Sequence, residues 1–312
     1  MGNYSQIRVT RLREAYRGLR EEVGYFGGTG LMICSFAFLV FAEERPHPIF
    51  FTVIPYNSKN PLRRNSCGNS SPLWSCMRYV GSKARFRKEL LPIILADRDP
   101  DQHYVEPFAG GFNLICHVDG PRIGNDIDSD VVACMKAVSD GWDPPETLSE
   151  QEYSEIRSDP DAYPQHLVGF VSVPCSYGGK KWGGYARSWA SDGSPRNHCA
   201  ESRRNVLSQA SGLAGVEFSS CDYRDLIIPA KSIVYCDPPY DSTLQYRSGT
   251  FDSEAFWVWC DELIQLGHQV FVSEYSAPDH WKCVWQRKVT NSLTADTGAK
   301  RGVERLFSCT RG

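Results

Sequence analysis

The chain has 312 residues and a formal net charge of −3, with 41% hydrophobic and 23% charged residues. This length allows one elaborated domain or two, and the composition is that of a globular protein rather than a disordered or fibrous one. The twelve cysteines form neither a C-x-x-C pair nor a zinc-type cluster, which predicts reduced thiols in a cytoplasmic protein and no metal site.

Residues 1–76 differ in character from the rest of the chain. They hold nine Lys and Arg against five Asp and Glu, a balance of +4, while the remainder sums to −7. Their apolar run, residues 31–42, is twelve residues long, short of the roughly 20 that a membrane-spanning helix needs. It also lies too far from the N-terminus for a signal peptide. We therefore predict no membrane segment and no membrane partner.

A boundary is predicted near Met77, because the polar tract NSKNPLRRNSCGNSSP before it suits a linker. We interpret residues 1–76 as an atypical N-terminal extension, either disordered or the product of an overextended start. The alternative is an added DNA-binding or partner-binding arm, for which residues 8–20 supply positive charge.

From Met77 onward, strand and helix patterns alternate. The predicted strands are residues 104–108, 122–127, 216–219, 232–236, 269–273 and 304–309. Val131, Met135 and Val138 recur at helical spacing before Gly141, and Asp252 or Ser253 can cap a second helix that Gly267 closes. This alternation favours a doubly wound α/β sheet.

Residues 141–215 interrupt the alternation of strands and helices, because turn residues dominate there. Within them, residues 175–204 have six Lys and Arg against two acids, with aromatic residues interleaved. Cations can contact phosphates and aromatic side chains can contact bases. An ordinary solvated loop is the alternative, because no sequence rule tells which side chain would meet which base.

Two elements suggest a nucleotide-like cofactor. In YVEPFAGGFN, residues 104–113, a strand runs into a glycine turn that we expect to enter a helix, where backbone N–H groups can approach a ligand closely. A purely structural turn is the alternative. About twenty residues on, Asp126 follows the next strand, where a carboxylate can accept hydrogen bonds from ribose hydroxyls. The alternative role, capping the next helix, suits Asp128 or Ser129 better.

The segment CDPPY, residues 236–240, holds acceptors in fixed directions. Pro238 restricts Asp237 to extended conformations, so the carboxylate and the Pro238 carbonyl project together from a strand end. Two such acceptors match the two hydrogens of an exocyclic amino group, and the charge of Asp237 stabilises positive charge that develops on its nitrogen. Tyr240 offers a face on which a planar ring can stack. A loop that merely ends a strand is the alternative.

Together these segments resemble the Dam-like class of S-adenosylmethionine-dependent DNA adenine-N6 methyltransferases. The resemblance spans essentially residues 77–309, with the motifs in the family's order: RYVGSK (78–83), VEPFAGG, NDIDSD, SSCDY (219–223), CDPPY and the tail GAKRGVERLF. It implies a Rossmann-like methyltransferase domain over residues 77–312, with residues 141–215 as an inserted DNA-recognition subdomain. One departure is Phe112, which stands where many relatives carry a further glycine, so the backbone approach there can differ.

The resemblance also implies roles for individual residues. For S-adenosylmethionine binding these are Tyr79, Lys83, Phe108, Gly110, Asp126 and Asp222. For the target adenine they are Asp237, Pro238, Pro239 and Tyr240. In the inserted segment we select Tyr177, Lys180, Lys181, Arg187 and Arg203 as DNA-binding candidates. The alternative for Lys83 is a solvated surface lysine.

The sequence therefore predicts a cytoplasmic enzyme that methylates the N6 atom of an adenine flipped out of double-stranded DNA. We expect a monomer, with a restriction endonuclease as a candidate partner. Alternatives are an RNA-base or protein-amide methyltransferase, since related motifs resemble those used there, and a non-catalytic DNA-binding relative. The intact CDPPY argues against the last.

Overall fold

The computed structural model describes residues 76–239, 251–291 and 300–309. The predicted N-terminal extension lies outside these ranges apart from Cys76, and so does Tyr240. No helix in the described ranges combines the length and apolar character needed to cross a bilayer.

Seven strands and six α-helices are found in the described residues. The strands are β1 (Tyr104–Glu106), β2 (Arg122–Asn125), β3 (Val216–Ser219), β4 (Ile233–Cys236), β5 (Gln269–Ser273), β6 (Lys282–Asn291) and β7 (Lys300–Ser308). The helices are α1 (Arg87–Ile94), α2 (Ser129–Ser139), α3 (Glu150–Ser158), α4 (Gln165–Ser172), α5 (His198–Leu213) and α6 (Ser253–Gln265).

The seven strands form one mixed sheet in the order β3-β2-β1-β4-β5-β7-β6. Strands β1 to β5 pair in parallel, and β7 inserts antiparallel between β5 and β6. The order reverses between β1 and β4, so the loops after these two strands diverge and open a crevice at the carboxyl edge of the sheet. The predicted Rossmann-like α/β fold is confirmed, and the DNA-recognition role of the insertion stays a prediction.

Both faces of the sheet are covered, which explains why its central strand β4 is continuously apolar. All four residues of β4 are buried. Ile233 and Tyr235 pack in the core cluster that includes residues of α1 to α5, while Val234 and Cys236 pack with α6 on the opposite face. Alternate residues of a strand point to opposite faces, so a strand covered on both sides buries every residue, and β4 does so without a charged side chain.

The sequence signals for α2 and α6 are confirmed. The Asp128 carboxylate accepts hydrogen bonds from the backbone at the start of α2, and the Asp252 carboxylate accepts from Ala255 N at the start of α6. Gly141 and Gly267 follow the two helices at φ of +95° and +94°. Side-chain caps satisfy N–H groups that a helix leaves unpaired, and glycine adopts the left-handed conformation at little cost.

The glycine turn after β1 does not enter a helix, which corrects the expectation from the sequence. Gly110 and Phe112 have φ of +48° and +55°, and the segment continues through turns to a short 3-10 helix, Ile115–His117. The Phe112 ring is fully buried against β2, where a Cβ on Gly124 would lie 2.5 Å from it. Burial of the ring offsets the strain of a left-handed Phe, and that conformation prevents an α-helix from starting here.

The insertion is more regular than its turn-rich composition suggests. Three helices, α3 to α5, lie between α2 and β3. Helix α3 begins with a capping box in which Ser149 and Glu152 exchange side-chain to backbone hydrogen bonds. The S-x-x-E pattern of Ser149 and Glu152 is present in the sequence and would have predicted the start of α3.

Glu106, at the end of β1, is a buried carboxyl that the sequence reasoning did not single out. It is 3% exposed and accepts a hydrogen bond of 2.8 Å from the Tyr104 hydroxyl. Burial raises the pKa of Glu106 to about 8, the charge of Asp237 adds to this, and the Tyr104 hydrogen bond opposes it. The folded protein therefore holds a neutral carboxyl beside the crevice at neutral pH.

The burial of Glu106 predicts that the free energy of unfolding depends on pH. Between an unfolded pKa near 4.5 and a folded pKa of about 8, the folded state binds a proton that the unfolded state has lost. The contribution of Glu106 to the free energy of unfolding thus falls as pH rises, by at most about 1.4 kcal/mol per unit. Glu106→Gln resembles the protonated form and lacks this titration, so its stability advantage over wild type should grow from pH 5 to 8.

Urea unfolding of both proteins across this pH range measures the effect, with exposed Glu262→Gln as the control. Parallel stability curves for wild type and Glu106→Gln would show that Glu106 is ionised in the folded protein.

Candidate active site

The loops after β1, β2 and β3 are fastened together by Asn125, the last residue of β2. Its side-chain amide donates to the carbonyls of Pro107 and Cys221, both at 3.0 Å, and its carbonyl oxygen accepts from Cys221 N at 3.0 Å. Asn125 is fully buried. Because one amide connects three strand ends, the carboxyl edge of the sheet is a preorganised surface. Apart from its position before Asp126, nothing in the sequence marks Asn125 for this role.

The glycine turn and Asp126 meet at this edge as predicted. The Asp126 carboxylate accepts from Gly110 N at 2.8 Å and from Asp128 N at 2.9 Å. Burial raises the pKa of Asp126 to about 6, and the two backbone donors act in the opposite direction. Each carboxylate oxygen has a second lone pair, so Asp126 retains capacity to accept further hydrogen bonds. The capping role falls to Asp128.

Tyr79 lies directly against the glycine turn. A Cβ on Gly110 would lie 2.7 Å from the Tyr79 ring, closer than real side-chain contacts allow. The absence of a side chain at Gly110 is therefore needed for the tyrosine of RYVGSK to pack on the turn. Two segments that the sequence analysis assigned to one cofactor site are in contact.

A buried amide network holds the segment that contains Tyr79. The Gln209 side chain accepts from Met77 N at 2.7 Å and donates to the carbonyl of Gly111 at 3.1 Å. The Asn113 amide donates to Met77 O at 3.0 Å and to Ser82 Oγ at 2.8 Å. Helix α5 thus fixes both the RYVGSK segment and the glycine turn, a role for Gln209 and Asn113 that the sequence analysis missed.

Lys83 and Asp237 form an ion pair at the centre of the edge. The Lys83 ammonium lies 2.7 Å and 3.0 Å from the two carboxylate oxygens of Asp237 and also donates to the Gly81 carbonyl at 3.0 Å. Lys83 is 4% exposed, so the alternative of a solvated surface lysine is wrong. Glu304, from β7, lies 4.0 Å from the same ammonium.

The protonation of Asp237 reflects opposing effects. Burial raises the pKa of the Asp237 carboxyl, the Lys83 ammonium opposes that rise, and the charge of Glu304 adds to it. Lys83 therefore favours the ionised carboxylate that the predicted chemistry requires. Pro238 is buried and Pro239 half-buried after Asp237, and the predicted stacking residue Tyr240 lies outside the described residues.

Phe108 follows β1 and Asp222 follows β3, both at the carboxyl edge of the sheet. The Phe108 ring packs 5.1 Å from the Tyr223 ring and 5.8 Å from the Phe256 ring, in an aromatic cluster on the α6 side of the sheet. The Asp222 carboxylate accepts two hydrogen bonds from the Arg224 guanidinium, at 2.8 Å and 2.7 Å. The hydrogen bonds from Arg224 lower the pKa of Asp222, which keeps it ionised.

The predicted DNA-binding residues fall into two groups. Tyr177 is 65% exposed, and Trp189, also in the insertion, is 72% exposed. Lys180 is also exposed, and no ion pair holds its ammonium within the described ranges. These side chains are available to a partner.

The other three cations are paired with acids of the protein. Lys181 lies 2.6 Å from Asp128 and 2.9 Å from Asp130, so it ties the insertion to the start of α2.

Arg187 pairs with Glu150, and Arg203 with Asp143 at 2.7 Å. Exposed pairs contribute little to stability and can exchange partners. The DNA-binding role of all five residues stays a prediction.

Comparisons with known proteins bear on this site. No curated protein matches the sequence. A solved structure of SMU.472, a protein assigned as a methyltransferase and complexed with SAH, is 13% identical with a TM-score of 0.32, covering 77% of this chain and 56% of its own. A likeness at this TM-score supports no conclusion about fold or ligand, and the present chain spans little more than half the length of that protein.

The family comparison is more specific. Residues 79–166 match the model of the D12 class N6 adenine-specific DNA methyltransferases. The matched segment contains Tyr79, Lys83, the glycine turn and Asp126, the residues that meet at the carboxyl edge. The resemblance to Dam-like adenine methyltransferases seen in the sequence is thus confirmed over residues 79–166 by their match to the D12 class.

Proposed function

We propose that the chain transfers a methyl group from S-adenosylmethionine to the N6 atom of an adenine flipped out of duplex DNA. One observation carries the proposal. Lys83, inside the segment that matches the adenine methyltransferase family, donates two hydrogen bonds to Asp237 of the CDPP segment. The matched segment and the predicted amino-group acceptor therefore belong to one site.

The described edge suits a positively charged cofactor without phosphates. Three aspartates lie in the loops that follow its strands, Asp126, Asp222 and Asp237, whereas Glu106 at the end of β1 is neutral at neutral pH. The glycine turn leads into no α-helix, so this turn presents no helix N-terminus to a phosphate, and α2 begins with the carboxylates of Asp128 and Asp130. When bound, S-adenosylmethionine supplies a methyl group on a cationic sulfur.

Six side chains or turn positions would contact the cofactor. Asp126 retains acceptor capacity for ribose hydroxyls, Gly110 and Tyr79 shape one wall, and Phe108 and Asp222 flank the other side. Lys83 would adjoin the cofactor while holding Asp237.

Asp237 and the Pro238 carbonyl would orient the adenine amino group by accepting its two hydrogens. This favours the geometry in which the nitrogen lone pair is available rather than delocalised into the ring. The carboxylate stabilises the positive charge that develops as the nitrogen acquires a methyl group. The nitrogen then gives up one proton, and Asp237 is positioned to accept it.

Transfer of labelled methyl from S-adenosylmethionine, offered in parallel to duplex DNA, RNA and protein, tests the proposal. We expect incorporation into adenine-containing duplex, and we expect Asp237→Asn to lower kcat by about 100- to 1,000-fold with cofactor affinity retained. Incorporation into RNA or protein alone, or none despite measurable cofactor binding, would contradict the proposal.

A second prediction concerns the pH dependence of the rate. Lys83→Met removes the cation that opposes the raised pKa of Asp237. The carboxylate is the active form, so activity falls as pH drops through that pKa. In Lys83→Met this acid limb should move to higher pH by about one to three units, because a neighbouring opposite charge shifts a carboxyl by that amount.

The rate profile of kcat against pH measures this shift. Lys136→Met is the matched control, since Lys136 is exposed and its one ion pair among the described residues is with Asp140 on the surface of α2. An unshifted acid limb in Lys83→Met, with a raised cofactor Kd instead, would show that Lys83 acts on the cofactor rather than on Asp237.

A further inference from the structure

Strands β6 and β7 extend beyond the carboxyl edge of the sheet beside the site. Asp237 directly follows Cys236 of β4, and Cys236 is in register with Val272 of β5. The residue after Val272, Ser273, is in register with Leu306 of β7. Leu306 is in turn in register with Trp285 of β6. Asp237 is therefore level with Trp285. Strand β6 runs in the same direction as β4, so the residues after Trp285 extend beyond the carboxyl edge.

This extension, which we call the ribbon, comprises residues 286–291 of β6 and 300–305 of β7, paired along their full length. Six residues a side give a projection of about 20 Å. The ribbon is joined to the catalytic centre, since Glu304 lies 4.0 Å from the Lys83 ammonium and 3.5 Å from the Arg85 guanidinium. A target base that reaches Asp237 must bring its flanking phosphates close to this edge.

The ribbon is basic although the chain as a whole is acidic. Residues 286–291 and 300–305 hold five Lys and Arg against one Glu, and the connecting residues 292–299 add one Asp. Arg287 is paired with Glu89, and Arg305 donates to the Tyr275 carbonyl. Lys288 is exposed, and no described acid pairs with it.

Resting on the proposed function, we propose that the ribbon binds the phosphate backbone of the DNA beside the target adenine, with Lys288 as a contact. This surface is separate from the insertion at residues 141–215. Its role is sequence-independent anchoring, since lysine and phosphate form a contact that carries no base information. Strand β6 is the last strand of the sheet, so a duplex can approach its outer edge.

The structure offers a matched control on the same strand. Lys282 is also exposed, but it pairs in register with Ser308 near the amino end of β6, six positions from Lys288. It therefore lies about 20 Å away, near the opposite edge of the sheet. Lys288→Glu and Lys282→Glu change the net charge equally, so an effect of overall charge would weaken DNA binding equally in both. Loss of a phosphate contact would weaken DNA binding only in Lys288→Glu.

The test is the Kd for a labelled mixed-sequence duplex, measured by anisotropy against salt concentration for wild type, Lys288→Ala, Lys288→Glu and Lys282→Glu. For Lys288→Ala, the slope of log affinity against log salt should fall by about one, as expected for one lost phosphate contact. Lys288→Glu should bind more weakly still, with its affinity for S-adenosylmethionine unchanged.

Wild-type affinity and slope in Lys288→Glu, or an equal loss in Lys282→Glu, would overturn the ribbon proposal while leaving the proposed function intact. If wild type neither binds nor methylates duplex DNA, the proposed function fails, and the ribbon proposal fails with it.

Discussion

The buried pair of Lys83 and Asp237 is the interaction on which the site depends. Two residues 154 positions apart are held together where the ends of β1 and β4 diverge. Lys83 is 4% exposed and Asp237 is 20% exposed, so removing Asp237 would take the nearest counter-charge from a buried ammonium, at a cost of up to about 3–5 kcal/mol. Such a pair persists only if its surroundings hold it, and the Gly81 carbonyl and Glu304 supply further contacts to the ammonium.

The rest of the edge supports this pair through amides rather than charges. Gln209 and Asn113 hold the segment that precedes Lys83, and Asn125 fastens the loops around Asp126. These amides take no part in the proposed reaction, but they fix the positions of the segments that carry Lys83 and Asp126. The acids collect in the crevice, where a cationic cofactor would lie, and exposed cations such as Lys180 and Lys288 stand outside it, where phosphates would pass.

Local signals predicted much of the fold. Strands β3 and β5 agree to the residue, and the caps of α2 and α6 are those expected from Asp128 and Asp252. Strand β6 was missed because its three cations, together with its polar residues, blur the alternation of apolar and polar residues that is typical of a half-buried strand. The helix expected after the glycine turn failed because tertiary burial of Phe112 overrides local propensity.

For the site, the sequence named most of the residues but not their partnerships. Lys83 was expected at the cofactor, and the structure pairs it with the carboxylate of Asp237; Lys181 was expected at DNA, and it lies on Asp128 and Asp130. The residues of these pairs lie far apart in the sequence, and their contacts form only when the sheet and the insertion have folded. A short motif gives no information on such contacts. Glu106 went unnoticed because an acid at a strand end has no local signature of burial.

The central claim is that the fixed acceptors at Asp237 serve the amino group of adenine in DNA. The most direct measurement is mass spectrometry of nucleosides from DNA of cells that express the protein, compared with cells that express Asp237→Asn. The account predicts N6-methyldeoxyadenosine in the first sample and a much smaller amount in the second. Methylated cytosine without methylated adenine, or equal N6-methyldeoxyadenosine in both samples, would contradict it.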